Sequence, residues 1–570
     1  MNPFGIDFGT TNSVLAQWNG TRVEVLAIDQ PDGDWQQLGF DRVLPSVLGT
    51  CPDGRPSFGW DAKRQTSGKV EMVKRLFATD DVVELAGRQV PVEEAAALLF
   101  GHIRRAAPGL AVDRAVVTIP ANSRGVARYR TKLCAGLAGI EVQALINEPT
   151  AAAMAFAVDA RHDQNILVFD WGGGTLDVTV LETIEGVFIE RASKGIPRSG
   201  GVDLDRLFAD AILARLPFRP SWTPVQQAQF MLAVELAKVR LSEQDETNVL
   251  LPEGGYFRVD RALFESAITP KLEEVRQPIE QCFADLAIGP ADIDQLVMIG
   301  GSSKIPAARR FVEKIAGRAP AEGCDPMTAV AEGAAIASAI LLGQLDKDFF
   351  VATEHALGTI VHDSVHRPSF SVLIPRNHQL PARETDQYRP AEPGQETVRV
   401  QVIEGDPAKP VDDADNVILK EWKVPVDPER TQQDNAFDIT YEYTVDGILH
   451  IVVTDRQTRS VLLRDDVSFG VTRDKTQLTA LAQRVRKVLE GGSWEGSEGG
   501  AAAPALTRAE DPEVRRLLDR TRGKVIPFVG DAEGAELEAL CGELDRASGE
   551  DADRYREKLA QVLRQYAYLF

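Results

Sequence analysis

Paired cysteines are missing from this chain. Its five cysteines, at 51, 134, 282, 324 and 541, are isolated within 570 residues, with no CxxC spacing and an odd total. This argues against a disulfide frame or a cysteine zinc site and predicts reduced thiols in a cytoplasmic protein. Positive charge is scarce: 63 lysines and arginines face 85 aspartates and glutamates, a formal net charge of −22. No run of basic residues offsets the balance, so neither nucleic acid nor an anionic membrane is expected as the main partner, since both reward positive surface. Long hydrophobic runs are missing too. The longest, AIASAILLG at 335–343, falls well below the ~20 residues needed to span a bilayer. The first strand is expected to begin by residue 4, which leaves no room for a signal peptide.

What is present is an α/β alternation over residues 1–343, with an internal echo. FGIDFGTTNSVLA at 4–16 resembles NILVFDWGGGTLDVTV at 165–180. Each reads as an apolar strand, an aspartate, a glycine-bearing turn with threonine, and a second apolar strand. AVVTIPANS at 115–123 and QLVMIGGSSKIP at 295–306 supply a later strand and turn. NEPTAAAMAFAV at 147–158 and AVAEGAAIASAI at 329–340 supply an alanine-rich helix. Two halves with one order of parts suggest duplication, with a ligand between them.

The turns indicate what that ligand is. Glycine lets backbone N–H groups approach anionic oxygens, and threonine hydroxyls add donors. Asp7 and Asp170 would repel phosphates unless Mg²⁺ lies between, and a hydrated Mg²⁺ needs only one or two carboxylates. A single glycine-rich turn is as often only a turn. Two such turns, each with Asp and Thr in register, point to a nucleotide polyphosphate.

GIDFGTTNS, VKRLF, INEPTAAA, FDWGGGTLDVTV and IGGSSKIP closely resemble the ATPase domain of the seventy-kilodalton heat-shock chaperones, the DnaK type. The resemblance implies a duplicated actin-like (ribonuclease H-like) ATPase domain that uses ATP/ADP and Mg²⁺. It also implies a peptide-binding β-sandwich and a weak intrinsic ATP hydrolase activity. By this resemblance Gly9, Thr10, Thr11 and Asn12 form the first phosphate loop, and Gly172, Gly173, Gly174 and Thr175 the second. Asp7 and Asp170 hold the hydrated metal. Lys74 reaches the γ-phosphate, and Glu148 and Asp177 lie near the attacking water. On their own, Lys74 reads as a surface lysine and Glu148 as a charge favoured at a helix N-terminus. Glu235, Lys238 and Ser242, spaced three and four apart on one helical face, match residues that grip the ribose and base. Gly300, Gly301, Ser302 and Lys304 match the turn under the adenine, and Gly200 and Gly201 match further nucleotide contacts. Pro120 and Arg128 match residues that relay the nucleotide state.

The chain also departs from the pattern. Lys304 and Val239 stand where the family usually has arginine, and Met327 where it has aspartate. A lysine stacks poorly on a base, so weaker adenine binding is expected. Ala144 replaces an arginine of the co-chaperone contact. The linker stretch LDKDFFV at 345–351 keeps apolar Phe349, Phe350 and Val351 without the usual aspartate. Both changes weigh against stimulation by an ordinary J-domain partner.

Beyond 351 the pattern turns all-β. TVRVQVIEGD places Val398, Val400 and Val402 on one strand face, and AFDITYEYTVDGILHIVVTD reads as a hairpin turning at Asp446-Gly447. The expected organisation is an ATPase domain at 1–343, a linker at 344–351 and a sandwich at 352–473. A helix at 474–490, a flexible linker at 491–506 and a helical region at 507–570 follow. Tyr388, Ala391, Val398 and Val400 fall near the family's peptide groove, with ordinary sandwich core as the equal alternative. The expected function is an ATP-switched chaperone for extended polypeptide, with a nucleotide exchange factor among the implied partners. An ATPase-switched scaffold, a filament-forming actin-like ATPase and a small-molecule kinase are the rivals.

Overall fold

A computed structural model describes residues 2–491 apart from 79–81, 86, 108, 122, 124, 158–161, 185–186, 219, 324, 348–350, 354, 363–366, 414 and 468–474. Beyond 491 it describes the helix Asp531–Arg546 and scattered positions between 518 and 562. The expected linker residues Phe349 and Phe350 therefore lie outside the described residues.

The two halves read from the sequence are two sheets of matching topology. In the first, Phe4–Phe8 pairs antiparallel with Asn12–Trp18, which pairs with Val23–Leu26. Arg114–Ile119 lies parallel on the other side of Phe4–Phe8, followed by Glu141–Asn147. In the second, Gln164–Trp171, Leu176–Ile184 and Val187–Ile196 form the same meander. Gln295–Ile299 is its parallel neighbour. The first strand of each meander is covered on both faces. Phe4, Ile6 and Phe8 are buried in one, and Ile166 to Phe169 in the other, which reads as a continuous apolar run.

The alanine-rich helices Glu148–Ala157 and Ala329–Leu341 lie in the core that joins the sheets. Their small side chains allow very close crossing. A Cβ on Gly333 would lie 1.7 Å from the Ala151 carbonyl oxygen. A third helix, Pro224–Glu243, starts where Thr223 accepts from the Gln226 amide, with Pro224 in its first turn. It carries Glu235, Lys238 and Ser242.

The all-β stretch forms two four-stranded antiparallel sheets. One runs Pro368–Ile374, Ala356–His362, Thr397–Gly405, Val417–Pro425; the other runs Ala382–Tyr388, Phe437–Tyr443, Leu449–Asp455, Val461–Val467. The expected hairpin turn is present, with Gly447 at φ +84°. This β unit sits directly on the two halves. Leu145 N–H donates to the Val445 carbonyl at 3.3 Å, Gly125 N–H donates to Glu404 Oε2 at 3.1 Å, and Lys132 pairs with Asp446.

A helix follows at Lys475–Leu489. It packs on Val92–Ala106 of the first half, burying Leu481, Val485 and Val488, with Arg484 Nε 3.0 Å from Glu94 Oε2. In the tail, Leu537, Cys541 and Leu544 share a cluster with Leu518 and Leu559, joined by Tyr555 and Val562.

Candidate nucleotide site

The two glycine-threonine turns face each other at the tips of the paired hairpins. They approach so closely that a Cβ on Gly173 would lie 2.3 Å from Thr11 Oγ1, and one on Gly174 would lie 2.7 Å from Thr10 Cγ2. Glycine at 173 and 174 is thus required for the loops to meet. Gly9 has its own local reason, since a Cβ there would come within 2.1 Å of the Asn12 carbonyl oxygen. The second loop is fixed from below. Gly172 N–H donates to the Thr175 carbonyl at 3.1 Å, Gly201 N–H to the Gly172 carbonyl at 3.0 Å, and Val202 N–H to the Gly173 carbonyl at 3.0 Å. Ser302 Oγ also donates to the Gly172 carbonyl, at 3.0 Å. Gly200, Gly201 and Ser302 therefore shape the loop rather than stand apart from it. Gly300, at φ +80°, passes under the second hairpin, where a Cβ would lie 2.5 Å from Trp171 backbone and 2.8 Å from Asp170 Oδ1.

Between the loops lies a cleft of about 170 Å³. Asp7, Gly9 to Asn12, Lys74, Glu148, Asp170, Gly172 to Thr175, Gly300 and Gly301 all line it, as does Pro120. The fold brings these residues together from six separate segments. At the floor, Lys74 Nζ lies 2.6 Å from Glu148 Oε1. Asp177 sits beside Asp170 across the second hairpin and is buried.

The carboxylates are crowded. Burial pushes the Asp7 carboxyl up to about 7, with Glu148 adding repulsion and Lys74 and the Thr118 hydroxyl, 3.0 Å away, opposing. Burial likewise holds Asp170 well above the usual carboxylate range, reinforced by Glu148, Asp177 and Asp7. Acidic groups so placed become stable anions only beside a cation. Among the described residues no group of three or more His, Cys, Asp or Glu side chains is arranged to hold a metal directly. The donor set fits a hydrated magnesium ion held by Asp7 and Asp170 through water, and does not resemble a direct protein cage.

The adenosine residues are placed differently. Lys63 of the first half reaches across to Glu235, with Nζ 2.7 Å from Oε1. Burial opposes ionisation of Glu235, but Lys63 and then Lys238 outweigh it and hold the carboxyl below its usual range. Lys238 lies 2.8 Å from Asp205 Oδ1 and donates to the Gly201 carbonyl at 3.1 Å. Ser242 Oγ faces its own helix, 3.5 Å from the Lys238 carbonyl oxygen. Lys304 pairs with Asp325 at 3.1 Å. Met327 packs beneath Gly301 and against Val14 and Val43 of the opposite half. Arg128 is buried in the helix Gly125–Leu137, next to the Gly125–Glu404 contact. In the β unit, Val398 and Val400 stand in the core of the sandwich, Tyr388 is half-buried with its hydroxyl 3.0 Å from Ser371 Oγ, and Ala391 is exposed.

Sequence reasoning missed Arg75. Its guanidinium crosses the cleft to the Gly174 carbonyl and lies 3.6 Å from Asp203 Oδ2. The only available signal was its place beside Lys74 in MVKRLF. It also missed Lys63, whose partner is 172 residues away in sequence.

The family model described as Hsp70 protein matches residues 72–560. The chaperone protein DnaK of Thermosipho africanus is 33% identical over 480 residues, covering 80% of this chain and 78% of that protein. The DnaK of Thermotoga maritima is also 33% identical, over 79% of this chain and 78% of its own. The DnaK of Thermus thermophilus is 30% identical over 602 aligned positions, covering 95% of both chains. With a family match across most of its length and relatives at this identity and coverage, the chain belongs to the Hsp70 family.

Proposed function

We propose that this protein is an ATP-dependent chaperone in which hydrolysis in the cleft switches the affinity of the β unit for extended polypeptide. The observation that carries the reading is the near-contact of the two phosphate loops above the Lys74–Glu148 pair, flanked by Asp7 and Asp170. Backbone N–H groups of the loops and the Thr10, Thr11 and Thr175 hydroxyls would bind phosphate oxygens. Mg²⁺, when bound, neutralises charge on those oxygens. Lys74 would meet charge developing on the γ-phosphate, while Glu148 and Asp177 orient the attacking water. Hydrolysis of this kind depends on positioning and charge compensation more than on a strong base.

In this reading residues 1–343 are the actin-like ATPase unit, 344–351 the linker and 352–473 the peptide-binding unit. Unfolded polypeptide is the client, and the protein acts in the cytoplasm. A J-domain protein and a nucleotide exchange factor are its expected kind of partner, although Ala144 and the altered linker weigh against the first. The burial of Val398 and Val400 favours a second reading, in which the ATPase switches a scaffold toward a dedicated partner. Phosphate release from Mg-ATP by the full chain, measured with and without an unfolded hydrophobic peptide, tests both. Release stimulated by peptide supports the chaperone. Release indifferent to peptide leaves the scaffold, and no release overturns both.

A further inference from the structure

Arg75 follows Lys74 on a short 3₁₀ turn, Val73–Ala78, and the two side chains leave it in different directions. Such a turn has about three residues per revolution, so neighbours along it stand ~120° apart. Lys74 turns to Glu148 at the cleft floor. Arg75 turns to the second half. Its Nη2 donates to the Gly174 carbonyl of the second phosphate loop and lies 3.6 Å from Asp203 Oδ2. Asp203 belongs to the helix Gly201–Leu213, whose start it caps by accepting from Gly200 N–H at 3.0 Å. Its other oxygen lies 3.5 Å from Arg206 Nη1. The guanidinium packs so closely on the loop that a Cβ on Gly174 would lie 2.9 Å from Arg75 Nε.

The far end of the turn is held by the first half. Arg130, buried in the helix Gly125–Leu137, donates from Nη1 to the Phe77 carbonyl at 2.6 Å, and its Nε lies 3.2 Å from Glu93 Oε1. The Phe77 ring is buried, with its centroid 6.2 Å from that of Phe8. At the near end Met72 takes φ +56°, and its carbonyl accepts from Arg75 N–H at 3.0 Å. A left-handed methionine is costly and persists where its surroundings dictate it. The turn is therefore fixed at Phe77 by one half and at Arg75 by the other. Lys74 lies beside the second anchor, so that anchor sets its distance from the second phosphate loop.

We propose that Arg75 is a positioning residue for hydrolysis: by gripping Gly174 and Asp203 it fixes Lys74 against the second phosphate loop. This rests on the ATPase reading and adds to it a residue that acts through Lys74. The residue type suits the task. A guanidinium is a rigid fork with several donors, able to meet a carbonyl and a carboxylate together, whereas an ammonium is a point charge on a flexible stem. A misplacement of about 1 Å can cost ~10²-fold in rate. A contact that only sets the place of Lys74 therefore matters to the chemistry without touching nucleotide. Asp34 and Arg240 also join the two halves, with Oδ1 and Nη2 2.7 Å apart. Asp34 stands on the helix Gly33–Gln37, a different element from the turn that carries Lys74, so it separates closure of the halves from this positioning.

The test uses the full chain. Single-turnover hydrolysis of bound ATP and the Kd for ATP are measured in wild type, Arg75→Met, Arg75→Lys, Asp203→Asn, Lys74→Ala, the Lys74→Ala/Arg75→Met double variant and Asp34→Asn. Melting temperature reports folding. Arg75→Met keeps the aliphatic stem and should slow hydrolysis about 10- to 100-fold, while the Kd for ATP changes less than about 3-fold. Arg75→Lys should fall between wild type and Arg75→Met, and Asp203→Asn, which leaves the Gly174 contact in place, should slow hydrolysis less than Arg75→Met. Because Arg75 acts through Lys74, the double variant should be no slower than Lys74→Ala. Asp34→Asn should hydrolyse at the wild-type rate. If Arg75→Met melts well below wild type, Asp203→Asn decides: slower hydrolysis supports the proposal and a wild-type rate overturns it. A wild-type rate in a folded Arg75→Met, a double variant slowed by the product of the two single losses, or Asp34→Asn reproducing the loss of Arg75→Met also overturns it. A wild-type chain that hydrolyses no ATP overturns the ATPase reading beneath it, and is seen before any variant is compared.

Discussion

Lys74 Nζ and Glu148 Oε1 lie 2.6 Å apart although 74 residues separate them in the chain. Neither side chain is more than 13% exposed. A shielded pair at the floor of the cleft gives Lys74 a defined place from which to meet a γ-phosphate. Lys74→Ala should lower turnover by ~10²–10³, by analogy with the loss of one transition-state donor. ATP binding should be largely retained. Single-turnover hydrolysis beside a nucleotide-binding titration checks this, and a wild-type rate would make Lys74 a structural residue.

Asp7 and Asp170 face the same cleft and are held above the usual carboxylate range chiefly by burial. Asp7→Asn and Asp170→Asn should each raise the Mg²⁺ concentration needed for half-maximal hydrolysis, and chelation with EDTA should stop turnover of the wild-type chain. A magnesium titration unchanged in both variants removes these two side chains from the metal site.

Gly333→Ala should destabilise the paired halves by about 1–3 kcal/mol or more, the cost of overpacking a filled core. The new methyl would meet the Ala151 carbonyl, and backbone cannot rotate away as a side chain can. A fall in the denaturant midpoint without a change in slope is the expected result. An unchanged midpoint would mean that the two helices can separate freely.

Deletion of 507–570 should leave ATP hydrolysis within the error of the wild-type rate. The tail's described apolar side chains are clustered with one another in Leu518, Leu537, Cys541, Leu544 and Leu559. None of them lines the cleft. A collapse of turnover in a truncated chain that melts normally would show that the tail supports the ATPase unit.

Nucleotide and peptide should disfavour one another. Val351 is buried in the core shared by the two halves and the β unit. A coupling of about 1–3 kcal/mol, or roughly 5- to 150-fold in peptide affinity, is the usual range for such linkage. A fluorescent hydrophobic peptide titrated with ATP, with ADP, and against a Phe349→Asp/Phe350→Asp double variant measures it. The double variant should abolish the difference between nucleotides. Equal affinity in all three removes peptide switching and leaves the scaffold reading.

The chain by itself determined the hairpins, the loops and the helix stripe, because these depend on short-range rules. Strand alternation sets Phe4, Ile6 and Phe8 inward, glycine and threonine mark the turns, and spacings of three and four put Glu235, Lys238 and Ser242 on one face. The duplicated order of parts also implied a site between halves. Tertiary structure alone decided which cations met which anions. Lys63 finds Glu235 and Arg75 crosses to Gly174 only because the halves close on each other, and no periodicity encodes contacts between residues so far apart. It also decided the fate of Val398 and Val400. A strand face reads the same whether it lines a groove or fills a core, and only the second sheet packed over it places those side chains inside. The docking of the β unit and of Lys475–Leu489 was likewise invisible in the sequence. An apolar stripe shows that a surface is covered, while the partner is chosen by the shape of everything else in the fold.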